Sequence, residues 1–507
     1  MLKNTLLVSI CLILSAVLGF ISQIVFASTF GASAEMDIYF KILSIPAVIT
    51  GISPIIFSSV LIPTFSKLKS STIELNRFIE SVLIIMLGFG ALFAFVGFII
   101  SAIRIEIFVP GGASHLENIG FQVALMVWIG SGFLVISSYL SAILNYKKQF
   151  FTVAWTSVLP AFLMIIFVLF FHANLGVRSI SLGFCTAFIL QFIILLISSK
   201  IPLNLLSLNF KYIRYKKLLL EQSFLVTLSL LPFTILVPIA YFWASKLEIG
   251  SISYLGYSQS FAGFLSVAVS MGIAVVSFPE LADKFANQEG ESTLLRFEKT
   301  LRYVLLIGMF SAGFLIALRV PILSLFYQRG SFDADSVNNL SSVLPWYLLA
   351  AVFIGGLNIL RNLFYSKGEF KNIASLGLII PLIFFILAGL LKDRFSFIGI
   401  GIANALSFGI LFFASVYLIK NEEERFLTND FLFFILRNSI AVMISVLSVS
   451  MCLSFILETI SQLASITLCL LLFLAIYILV SKFIFRLEEL DEIGMIFINA
   501  IKSSTRS

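Results

Sequence analysis

Apolar residues neither alternate along this chain nor keep to one helical stripe. They run almost unbroken for twenty residues or more, then give way to short polar stretches. Runs of this kind lie near 5–28, 38–63, 79–103, 119–144, 151–171, 176–198, 222–243, 254–279, 301–325, 338–365, 372–391, 396–419, 430–455 and 463–485. Each is near the roughly 20 residues a helix needs to cross the hydrocarbon core of a bilayer. The pattern predicts an all-α polytopic membrane protein of about 14 transmembrane helices. The first run is too long for a cleavable signal peptide, with only Lys3 before it and no small-residue cleavage site after it.

Composition agrees with the pattern. Of the 507 residues 60% are hydrophobic and 12% charged, with a mean hydropathy of +1.09 and 55 phenylalanines. A soluble domain carries about twice that charge, so a soluble enzyme, a disordered chain and a disulfide-stapled secreted domain are excluded. The net charge of +7 follows membrane topology and not a nucleic-acid partner. Arg104, Arg178, Lys246, Arg319, Arg329, Lys392 and Arg394 fall between runs or near their ends on one side, and Lys41 and Arg361 are set apart inside runs. All other lysines and arginines fall on the opposite side, which the positive-inside rule makes cytoplasmic. Both termini are then expected in the cytoplasm.

An internal repeat organises the runs. Ile62-Pro63-Thr64 is echoed by Phe278-Pro279-Glu280, Asn145-Tyr146-Lys147 by Phe364-Tyr365-Ser366-Lys367, and Leu182-Gly183 by Ile400-Gly401, at nearly constant separation. Two homologous halves of six spans each enter the membrane from the same side, so they run parallel and face one another about a central cavity. The expected division is an N-terminal lobe at 1–199, a basic cytoplasmic linker at 200–221, a C-terminal lobe at 222–421, and two extra helices with a tail at 422–507.

Several of these residues resemble the MurJ-type lipid II flippase family. They are Ser15 to Phe20, Phe30-Gly31-Ala32, Asp37, Ile45-Pro46, Ile62-Pro63, the segment Leu325 to Ala334, and Phe364 to Lys367. The resemblance covers nearly the whole chain. It implies a flippase that moves an undecaprenyl-pyrophosphate-linked saccharide from the cytoplasmic to the outer leaflet by alternating access. Where the family carries charged residues on its first, second and eighth spans, this chain has Ala16, Ser22 and Gln23, then Thr50 and Gly51, then Gln259 and Ser260. A flippase for another polyprenyl-linked oligosaccharide therefore stays open. A multidrug antiporter, for which twelve helices would suffice, and a membrane glycosyltransferase, for which the outer loops are short, are weaker alternatives.

Ionisable groups inside spans are costly and point to function. Lys41 is a point charge for a pyrophosphate, with Asp37 one turn before it on the same face; its alternative is a snorkelling ion pair. Arg361, with Asn358 three residues earlier, is the second candidate, suited to bidentate phosphate binding. Gln23 and Gln259 complete the candidate substrate-binding set, since they stand where the family keeps charge. The resemblance also implies a gradient-driven cycle with a sodium site in the second lobe, for which the chain offers neutral side chains such as Asn404 and Ser407. Cys11, Cys185, Cys452 and Cys469 are scattered through apolar runs without metal-ligand spacing. No catalytic residue, resident metal or cofactor is expected. The partners expected are the lipid-linked saccharide and membrane lipids, for a protein acting as a monomer.

Overall fold

In a computed structural model the described residues are 2–68, 72–103, 114–201, 216–264, 290–367, 370–422, 429–459, 461–487, 489–490 and 492. They form helices α1 (Leu2–Phe30), α2 (Ala34–Leu68), α3 (Thr72–Ile103), α4 (Ser114–Tyr146), α5 (Phe150–Thr156), α6 (Leu159–Leu175), α7 (Arg178–Ser199) and α8 (Lys216–Ala244). A helical stretch over 251–264 is α9. There follow α10 (Gly290–Ala317), α11 (Arg319–Tyr327), α12 (Ala334–Lys367), α13 (Phe370–Glu422), α14 (Asn429–Thr459) and α15 (Gln462–Leu479). Lipid offers no hydrogen bonds to the main chain, so helices that satisfy their own backbone are the form such runs can take.

Twelve described segments are long and apolar enough to cross a membrane. One of them, Ser375–Ile419, is 45 residues long and contains the eleventh and twelfth expected spans. Its two arms break at Ser396, where the backbone leaves the helical region (φ 53°, ψ −139°). The eighth expected span is described only to residue 264, and its remainder lies outside the described residues. So does most of the expected linker, whose last residues already belong to α8. The ninth expected span is not one helix: it breaks at Leu318 (φ −105°, ψ 19°), between α10 and α11.

By packing, the chain divides into two compact units. The first is Met1–Tyr257 with Arg329–Asp333 and Gly377–Ile400; the second is Ser258–Gln328, Ala334–Leu376 and Gly401–Ser507. Backbone turns recur between corresponding places of the sequence repeat. Gly176, ending α6, has φ 56° and ψ −141°, almost the values at Ser396. Gly31 and Gly250, before α2 and α9, both take positive φ.

In the first unit α2 carries Pro46, Pro54 and Pro63 inside one helix, each removing a backbone hydrogen bond. The carbonyl of Thr50 that Pro54 leaves free accepts the Ser53 hydroxyl at 3.1 Å, a local repair available to serine in lipid. α8 has the same problem at Pro232. There Gly377 brings its backbone against the Leu228 carbonyl, so close that a Cβ would lie 2.8 Å from that oxygen.

In the second unit the start of α10 is strapped to the chain beyond α15. Arg302 bridges Glu298 and Glu489, each at 2.8 Å, and Lys299 meets Glu492 at 2.8 Å. Tyr303 donates to the other oxygen of Glu492, and the Arg302 guanidinium lies 5.4 Å from the Phe434 ring of α14. Deeper in, the Tyr477 hydroxyl donates to buried Asn438 at 2.7 Å, joining α15 to α14.

Candidate functional site

Asp37 sits in the first turn of α2 and is 5% exposed. Its Oδ2 accepts the Gly250 N–H at 2.7 Å; its Oδ1 accepts the Ser253 N–H at 2.8 Å and the Ser253 hydroxyl at 2.5 Å. The carboxylate thus caps the first turn of α9 from another helix. The free N–H groups and positive dipole end there favour an anion, and hydrogen bonds to a charged acceptor are the stronger kind. Asp37 and Ser253 are 216 residues apart, the same separation as the repeated Pro63 and Pro279.

Around this bond three turns of the first unit interlock. The Ser331 N–H donates to Ser28 O at 2.8 Å and its hydroxyl to Thr29 O at 3.0 Å. The Tyr257 hydroxyl donates to Gly31 O at 2.9 Å. The approach is main chain against main chain: a Cβ on Gly330 would lie 2.1 Å from Ser28 O, and one on Gly31 would lie 2.5 Å from Ser331 O. Both glycines also hold positive φ, so glycine is required twice over at each position. Beneath the turns lies a buried aromatic plug of Phe26, Tyr39, Phe40, Tyr241, Tyr257 and Phe332. Phe40 meets Tyr257 edge-on at 5.3 Å, and Tyr257 meets Phe332 at 5.7 Å. Main chain and rings are thus packed together at this end of the unit.

Lys41 lies one turn further into α2 and is 9% exposed. Among the described residues its ammonium is paired only electrostatically, with Asp37, whose oxygens are already taken by α9. An ammonium so placed has donors to spare for an incoming anion. Gln23 of α1 is half-buried, and its amide oxygen is buried without a partner among the described residues. Gln259, Asn358 and Arg361 are each half-buried and belong to the second unit. The expected site residues thus divide: Gln23, Asp37 and Lys41 in one unit, and Gln259, Asn358 and Arg361 in the other.

Sequence reasoning joined Asp37 to Lys41 and missed its hydrogen-bond partners Gly250 and Ser253, and Tyr257 with them. A signal was present, since Gly250-Ser251-Ile252-Ser253 has the form of a helix start in need of an acceptor. The Arg329 to Asp333 segment is a turn, with φ 59° at Gly330 and Asp335 in the first turn of α12.

The family model for the lipid II flippase MurJ matches residues 26–481. A probable lipid II flippase MurJ of Buchnera aphidicola subsp. Baizongia pistaciae is 24% identical over 459 residues, covering 87% of this chain and 88% of the relative. One from Borreliella burgdorferi is also 24% identical, covering 87% of each. Among solved structures, a lipid II flippase MurJ in an inward closed conformation superposes with a TM-score of 0.77 at 21% identity, over 95% of this chain and 99% of that one. An inward-facing multidrug transporter of the MATE family, in the MOP superfamily, gives 0.61 at 14% identity, over 81% and 96%. The fold is that of an all-α polytopic transporter, and the chain belongs to the lipid II flippase MurJ family.

Proposed function

We propose that this protein is a flippase that carries lipid II from the cytoplasmic to the outer leaflet of the bacterial inner membrane by alternating access, without chemistry on the cargo. The observation that carries the reading is the hydrogen-bonded latch built on Asp37, set beside a buried cation with no carboxylate left to itself. A transporter that alternates needs one end shut while the other is loaded, and a polar latch of a few hydrogen bonds can shut and release. In this reading the closed end faces outward, both termini are cytoplasmic and the protein works as a monomer. Lys41 waits just inside the latch for the pyrophosphate, with Gln23 offering an amide to the head group. Arg361 offers cargo a second cation, and Asn358 and Gln259 offer further amides.

A second cargo class, another polyprenyl-linked oligosaccharide, is favoured by one feature. Gln23 presents a neutral, unpartnered amide oxygen where the family carries charge, and amides suit sugar hydroxyls as well as phosphates. Complementation separates the two. Rescue of a strain depleted of its own lipid II flippase supports the first reading. Failure there, with rescue of a mutant lacking a capsule or O-antigen flippase, supports the second.

A further inference from the structure

A patch in the first unit takes no part in the latch. Trp243, at the end of α8, is held rigidly: its Nε1–H donates to Phe385 O at 3.1 Å. Its ring lies so close on Gly389 that a Cβ there would come within 2.9 Å of Cζ2. Phe242 stacks on Phe385 at 6.1 Å and 23°. Two ammonium groups from separate elements converge on this aromatic platform. Lys246, in the turn after α8, sits 4.4 Å from the centroids of both Phe242 and Trp243. Lys392, at the end of the first arm of α13, sits 5.3 Å from Trp243. Arg394 is exposed two residues further on.

Lys246 and Lys392 therefore meet over one indole. Lys392 leans on its neighbour Asp393, whose carboxylate is 73% exposed. Lys246 has aromatic faces but no carboxylate partner among the described residues. Cations brought together over one indole repel, and a shared anion between them removes that repulsion. Below the cations the first arm of α13 shows an exposed apolar face of Leu382, Phe385, Ile386 and Leu390. Their helical spacing makes a strip one acyl chain wide, continuous with the platform. A soluble phosphate would have no use for that strip.

The geometry points to a site for an anionic glycerophospholipid, its phosphate held between Lys246 and Lys392 and an acyl chain lying along Leu382 to Leu390. The bound lipid bridges α8 to the first arm of α13 just before the strained Ser396 turn. The site is separate from the cargo latch and stands whether or not the flippase reading does.

The test uses the full-length protein in nanodiscs of phosphatidylcholine doped with phosphatidylglycerol. Native mass spectrometry counts the lipids retained on release. The wild type should keep one phosphatidylglycerol in preference to phosphatidylcholine. Lys246→Gln with Lys392→Gln should weaken that retention by about 30-fold, about fivefold for each basic residue at a membrane surface. Arginine at both positions should restore it. Brominated phosphatidylglycerol should quench Trp243 fluorescence, read as the difference from Trp243→Phe, more than brominated phosphatidylcholine does. Equal retention of phosphatidylglycerol by wild type and the double glutamine variant, or equal quenching by both lipids, overturns the proposal. Unchanged thermal unfolding of the variants in detergent separates lost binding from lost folding.

Discussion

Replacing Asp37 by asparagine keeps the shape of the side chain and removes its charge. Asp37 accepts three hydrogen bonds from α9, and bonds to a charged group are worth about 1.5–3 kcal/mol each against about 1 for neutral pairs. Asparagine can keep its oxygen toward Ser253, but its amide nitrogen then faces the Gly250 N–H, donor against donor. The buried N–H left unsatisfied costs about 1–3 kcal/mol. Part of the loss is offset because a neutral amide is cheaper to bury than a carboxylate. The balance is about 3 kcal/mol against the closed end, an increase of about 100-fold in the open population. Ser251, 1% exposed beside the latch, is a suitable reporter as Ser251→Cys. Its labelling by a membrane-impermeant maleimide should quicken strongly in Asp37→Asn and hardly at all in a variant altered at the Glu492 strap, such as Lys299→Gln. An unchanged labelling rate in Asp37→Asn that unfolds at the normal temperature refutes the latch.

Other outcomes follow from the same geometry. Lys41→Ala should cut lipid II flipping at least tenfold with protein abundance intact, measured by outer-face accessibility of the lipid, because the first unit loses a buried cation with donors to spare. Gly330→Ala should open the same end without touching any charge, since its methyl group would be driven into Ser28 O; faster labelling at Ser251→Cys checks it. Ser396→Gly should raise stability by about 1 kcal/mol, read in thermal unfolding, by relieving a serine of a backbone conformation that glycine adopts freely. In the strap, burial raises the Glu492 carboxyl, but hydrogen bonds from Lys299 and Tyr303 outweigh it and hold the group below its ordinary value. Its contribution is therefore present above the ordinary carboxylate range and is lost as pH falls through the depressed value. Spin labels on α10 and on the segment after α15 should separate on acidification in that window, but not in Glu492→Gln.

Long apolar runs made the helices legible, because lipid leaves the backbone no other way to satisfy itself. Helix breaks were less so. Nothing in Ala317-Leu318-Arg319 announces the break between α10 and α11, and Ser396 is not a residue that local preference would place at a positive φ. The packing around it over-rides that preference, as the near-identical turn at Gly176 indicates. At the site, Lys41 and Asp37 stood out as charges in an apolar run. Their partners did not, because Gly250 and Ser253 contribute backbone N–H groups and one hydroxyl, which leave little mark on composition. The interlock of Gly31 and Gly330 is a contact between distant main-chain segments, and no periodicity encodes it.

The aromatic plug behind the latch has a thermal consequence. Opening that end wets rings now buried from Phe26 to Phe332, each carrying about 150–250 Å² of surface. If about 500 Å² of it becomes hydrated, the heat capacity rises by about 0.2 kcal/mol/K. An equilibrium with such a term is curved in temperature: closure is firmest at an intermediate temperature and loosens on warming and on chilling alike. Flipping limited by that opening would then not follow a straight Arrhenius line, and the cold end of its growth range would find the gate looser than simple extrapolation suggests.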